Sequence, residues 1–135
     1  MSNLFTPENI SIESLKNVFD SAFINWSIDE DGDFIVRHTY RCIIRLSENK
    51  SRLTLKNFFN SNSAMSDSEK LGLINEINKG LYYVKAVLNP NGVITIEYDI
   101  SLVGGITAHS IVQNIRNFDT GIGGILDGDE KNLFV

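Results

Sequence analysis

The sequence has little of what much protein chemistry depends on. Among 135 residues there is one cysteine, Cys42, with two histidines, His38 and His109, and two prolines. A single thiol excludes an internal disulfide framework and a cysteine-rich zinc site, and it fits a reducing compartment. Two histidines without a carboxylate motif beside them define no metal centre, and no cofactor is expected. No run approaches the roughly 18–20 apolar residues that a transmembrane helix needs. The opening Met1-Ser2-Asn3-Leu4-Phe5-Thr6-Pro7 lacks the basic and apolar regions of a secretory signal. A cytoplasmic location with no membrane partner is therefore expected. Excess positive charge is missing too. The 12 Lys+Arg face 17 Asp+Glu for a net charge of −5, which argues against a nucleic-acid partner.

What is present is the material of a core. Hydrophobic residues make up 42% of the chain and charged residues 21%, too apolar a mixture for disorder. Eight Phe, four Tyr and one Trp supply bulk, and 135 residues suit one domain spanning the whole chain. Ile12, Leu15, Val18, Phe19 and Ala22 fall at helical spacing and predict a helix over residues 11–22. Ser11 is its N-cap, and Thr6-Pro7 offers an earlier start. Residues 23–28 read as a short strand that Asp29-Glu30-Asp31-Gly32 turns. Residues 33–46, rich in β-branched and aromatic side chains, read as one long strand, and residues 51–59 return beside it.

Ser66 and Glu69 form the capping-box pattern of a second helix with Leu71, Ile74 and Ile77 as its apolar stripe and Gly80 as its end. Residues 81–88 and 93–102 are strands joined by Asn89-Pro90-Asn91-Gly92, a strong hairpin signal. Gly104-Gly105 breaks the second of these, and Thr107 caps a last helix carrying Ile111, Val112, Ile115 and Phe118. The glycine-punctuated residues 119–135 read as a loose tail, although Leu133-Phe134-Val135 could dock. The predicted order is α-β-β-β-α-β-β-α: an α+β domain whose antiparallel sheet carries its helices on one face.

Several stretches resemble the YbjN family, whose members are described as bacterial sensory transduction regulators. They are Leu53-Thr54-Leu55-Lys56-Asn57-Phe58-Phe59, Ile74-Asn75-Glu76-Ile77-Asn78 and Tyr83-Val84-Lys85-Ala86-Val87-Leu88. The most family-like piece is Ile100-Ser101-Leu102-Val103-Gly104-Gly105-Ile106-Thr107 with the amphipathic helix after it. The similarity spans most of residues 11–118. It implies a fold like that of type III secretion chaperones, which are small, acidic and usually dimeric. It implies no reaction.

Most candidate chemical sites reduce to structure. Asp29, Asp31 and Gly32 suit positions of a calcium loop beginning at Ser27, but its last position is His38 where a bidentate Glu is needed, so a hairpin turn is favoured. Asp127-Gly128-Asp129-Glu130 reads as an acidic surface tail. Cys42 shares a strand face with Phe34, Val36 and Ile44, which predicts a buried, inert thiol and not a nucleophile. His109 has no orienting partner at a triad spacing. Gly121-Ile122-Gly123-Gly124 follows a helix and lacks a P-loop's Lys-Ser/Thr. Gly104 and Gly105 could offer amides to an anion, but a tight structural turn explains them more simply.

One feature survives: charge is unevenly distributed. Residues 37–56 hold six cations and only Glu48, a net +5, leaving −10 for the remainder. Arg37, Arg41 and Arg45 share one face of an unbulged strand, and Arg52 and Lys56 alternate with leucines on the next. With Ile43, and Phe58 nearby, these residues could receive an acidic-apolar segment of a protein partner. The alternative is neutralisation by Glu97 and Asp99, which also point outward. The expected function is a non-enzymatic protein-binding or chaperone-like regulatory module acting as a homodimer. The alternatives are a small-ligand sensor domain or a true type III secretion chaperone.

Overall fold

The computed structural model describes residues 4–81 and 84–135. Six strands form one antiparallel sheet: β2 (Asn25–Ile28), β3 (Phe34–Arg37), β4 (Arg41–Leu46), β5 (Arg52–Asn60), β6 (Lys85–Leu88) and β7 (Val93–Ser101), in the spatial order β2-β3-β4-β5-β7-β6. Three helices complete the layer packing: α1 (Ile12–Ser21), α2 (Asp67–Gly80) and α3 (Ala108–Asp127). A separate ribbon pairs β1 (Leu4–Phe5) with β8 (Ile106–Thr107). No sequence pattern announces that ribbon, since each of its strands is two residues long.

Alternation decides which sheet face is covered. Phe34, Val36, Cys42, Ile44, Leu53, Leu55, Ile94, Ile96 and Ile100 are buried beneath the helices. Removing such side chains from water is the main favourable term in folding, about 1.5–3 kcal/mol for each large one. α1 contributes Leu15, Val18 and Phe19, and Phe19 meets Phe34 edge-on at 4.9 Å between ring centroids. The predicted caps hold. The Ser11 hydroxyl accepts from the Ser14 amide, Ser66 from Glu69, and Thr107 from Ser110, each satisfying an amide that has no partner within its helix.

The long strand predicted over residues 33–46 is in fact two strands. The chain turns at His38-Thr39-Tyr40, where the His38 amide donates to the Tyr40 carbonyl. The Tyr40 amide leaves the ladder to donate to Asp119 Oδ1 of α3 at 2.8 Å, a partner 79 residues away that no local pattern reveals. The arginines still share a face, but by pairing across a hairpin: Arg37 lies directly opposite Arg41.

The loose tail is also corrected. α3 continues to Asp127 because Ile122 and Ile125 extend its buried stripe, and the glycines at 121, 123 and 124 are helix interior. Beyond it Leu133 is buried, Phe134 bridges Ser61, and the Phe134 ring packs on Phe59 at 5.6 Å. Asp129 accepts from the Leu133 and Phe134 amides, so part of the acidic tail is a cap.

Smaller shifts have similar causes. The strand predicted over residues 23–28 begins at Asn25, since Phe23 adopts a left-handed φ of 57°. The buried stripe of α2 includes Lys70 and Ile74, while Leu71 is 54% exposed. The Lys70 ammonium donates to Ser61 Oγ at 2.8 Å, and Asn78 exchanges two hydrogen bonds with the backbone of Ala86, tying α2 to β6. The strand predicted over residues 81–88 begins at Lys85, with Leu81 and Val84 outside it, and Tyr82 and Tyr83 lie outside the described residues.

Candidate functional site

The sheet face turned away from the helices carries the cationic residues. Its geometry follows from register: Ile35 lies opposite Ile43, Arg37 opposite Arg41, Ile43 opposite Lys56, and Arg45 opposite Thr54. Cross-strand partners point to the same side. Arg37, Arg41, Ile43, Arg45, Arg52 and Lys56 therefore share this face. Phe58, two residues beyond Lys56, joins them and is 49% exposed.

The structure divides these cations into two groups. Arg45 forms a fork on the buried carboxylate of Asp33, Nη2 to Oδ2 at 2.6 Å and Nε to Oδ1 and Oδ2 at 3.1 and 3.0 Å. That hydrogen bonding raises the pKa of the guanidinium above its already high ordinary value. Lys56 lies 3.7 Å from Glu97, which also receives Lys85 at 3.2 Å, and Thr54 donates to Asp99. Arg37, Arg41 and Arg52 have no ion-pair partner among the described residues. The predicted stripe is thus neutralised at Arg45 and Lys56, and it stays open at Arg52 and at the β3–β4 turn, where Arg37 and Arg41 lie near Ile43 and Phe58.

The residues set aside as chemical candidates resolve clearly. Burial pushes the Cys42 thiol up to about 12, so it is a neutral, weakly reactive group at neutral pH. His38 and His109 are both exposed. Asp29, Asp31 and Asp33 do bring carboxylate oxygens within 4.8 Å of one another. Asp29 Oδ1, however, accepts from the amides of Asp31 and Asp33, and Asp33 is held by Arg45. Strands flank this turn where a calcium loop of the helix–loop–helix kind would have helices. Gly104 and Gly105 adopt φ of +88° and +92°, and a Cβ on Gly105 would stand 2.9 Å from Leu4 Cδ1. The Gly105 amide donates to the Leu102 carbonyl inside the turn. These glycines serve a structural turn that leads into β8.

Sequence reasoning missed one feature, a groove of about 490 Å³ between α1 and α3. Phe5, Val18, Ala22, Ala108 and Val112 give it an apolar floor, and Arg116 lies on its rim. No local pattern announces it, because its walls come from two helices far apart in sequence. No helix among the described residues is long and apolar enough to cross a membrane.

The fold has clear relatives. A YbjN structure described as "a putative transcription regulator from E. coli" superposes with a TM-score of 0.80 at 14% identity, covering 97% of this chain and 98% of that one. An uncharacterized protein from Methanothermobacter thermautotrophicus gives 0.64 at 13% identity over 87% of this chain and 94% of its own. The HopA1-SchA chaperone–effector complex contains a chain matching at 0.60 and 12% identity, over 88% of this chain and 99% of that one. The Yersinia pestis type III secretion chaperone SycH, solved with a fragment of YscM2, gives 0.56 at 9% identity, over 82% and 96%. At these identities the likeness establishes the fold, that of YbjN and the secretion chaperones. No curated protein matches the sequence. The family model YbjN, "Putative bacterial sensory transduction regulator", matches residues 11–123, most of the chain, and the protein belongs to the YbjN family.

Proposed function

We propose that this YbjN-family chain is a non-enzymatic, cytoplasmic protein-binding module, working as a homodimer, whose open sheet face takes an acidic-apolar segment of a partner. One observation carries the reading. Arg37 and Arg41 stand opposite each other without acidic partners among the described residues, beside Ile43 and the half-exposed Phe58. Unpaired guanidiniums next to apolar surface suit a segment that offers carboxylates and aliphatic side chains together. The protein complexes formed by the structural relatives HopA1-SchA and SycH–YscM2 support a partner-binding role.

The test is a labelled peptide alternating Asp with Leu, titrated against the wild type and against Arg37→Glu/Arg41→Glu. Both positions are exposed, so the double variant should keep its melting temperature. Its affinity should fall tenfold or more, and wild-type binding should weaken as salt rises. Equal affinity in the two proteins rejects the site. Sedimentation that shows only monomer at micromolar concentration rejects the homodimer. A second reading, a small-ligand sensor, is favoured by the groove between α1 and α3.

A further inference from the structure

The groove has an electrostatic character opposite to that of the molecule. The chain carries an excess of acid, yet the groove is lined by Phe5, small and apolar residues of both helices, Asn17, His109 and Arg116, with no carboxylate. The acids of α1 are engaged elsewhere: Glu13 with Lys16 at 2.8 Å, and Asp20 accepting from the Trp26 indole. Asp119, one turn along α3 from Arg116, accepts from the Tyr40 amide. Arg116 has no ion-pair partner among the described residues. His109 and Arg116 are seven residues apart, two helical turns, so both stand on the groove side of α3 with Val112 between them. Ala22, which lines the groove, is followed by Phe23, a residue 95% exposed.

We infer that this groove binds a small amphiphile with one negative charge, of the medium-chain carboxylate class. The carboxylate meets the Arg116 guanidinium, whose planar fork matches two carboxylate oxygens, and the chain lies along Val18, Ala22, Ala108 and Val112. About 490 Å³ lies within the range of small-molecule sites, and an apolar floor with a few convergent polar groups is their usual construction. The inference gives the small-ligand reading of this groove its ligand class and rests on that reading, not on the sheet face, so loss of peptide binding in Arg37→Glu/Arg41→Glu leaves it untouched.

The probe is decanoate, titrated into the full chain and followed by methyl and amide chemical shifts. Shifts should concentrate at Val18, Ala22, Ala108 and Val112. Arg116→Gln should weaken binding at least tenfold, and decylammonium, with the same tail and the opposite charge, should bind at least tenfold more weakly than decanoate. Ser21→Trp, at an exposed lining position, should block binding without lowering the melting temperature. Equal binding of decanoate and decylammonium overturns the inference. So does unchanged affinity in Arg116→Gln, or shifts gathered on the outer sheet face or scattered over the surface.

Discussion

Phe23 goes against two preferences at once. Its ring is almost wholly in water, and its backbone holds φ at 57°, where a side chain other than glycine costs about 1–2 kcal/mol. The hydrogen bonds explain the conformation. The Ile24 amide donates to the Phe19 carbonyl and the Phe23 amide to Asp20, the closing pattern that ends many helices on a left-handed glycine. Phe23→Gly should therefore stabilise the protein by about 1 kcal/mol, a rise of roughly 3–5 °C for a chain this long, read by thermal denaturation. Cys42 yields a pH prediction. Burial favours its neutral thiol and raises its pKa from 9.0 to about 12. The unfolded chain ionises first, so the stability due to the buried thiol is complete below pH 9 and is lost as pH climbs toward 12. Cys42→Ala should show a shallower alkaline loss of stability than the wild type in denaturant titrations across that window.

At the scale of elements, α3 is the component that ties the fold together. Its first half packs on the sheet, Asp119 fixes the β3–β4 corner through Tyr40, and its second half adds Ile122 and Ile125 to the core. Ending the chain after residue 119 should give an unfolded or molten product, seen as collapsed amide dispersion. The cut removes Ile122, Ile125 and Leu133 from the core, at about 1.5–3 kcal/mol each, against a total stability of roughly 5–15 kcal/mol. A truncated chain with native dispersion would restore the loose tail expected from the glycines. That expectation weighted local propensity, in which each helical glycine costs up to about 1 kcal/mol relative to alanine. The buried isoleucines outweigh it. Helix caps were legible for the opposite reason: a hydroxyl three residues before its amide is a purely local arrangement.

For the molecule as a whole, the mean charge of −5 conceals its organisation. The cationic stripe of residues 37–56 lies on one sheet face, where Asp33 pairs Arg45 and Glu97 pairs Lys56, leaving Arg37, Arg41 and Arg52 open among the described residues. A second cationic spot lies in the groove between α1 and α3. The candidate sheet face was legible because alternation sends odd-numbered residues to one side, and that survives a hairpin whose facing residues add to an even shift. Neutralisation by Glu97 was among the readings the alternation offered, and it reaches Lys56; the fork of Asp33 on Arg45 was not legible, because it is made across strands. The groove was invisible, since it arises from two helices separated by about ninety residues of chain.

The sequence by itself determined the α+β class, the helix starts, the β6–β7 hairpin and the identity of the buried face. Those depend on periodicity and on hydrogen bonds within a few residues. Tertiary structure alone decided where residues 33–46 break, how far α3 runs, which arginines are neutralised and where a cavity remains. Each of these turns on a partner distant in sequence, whose approach no local pattern encodes.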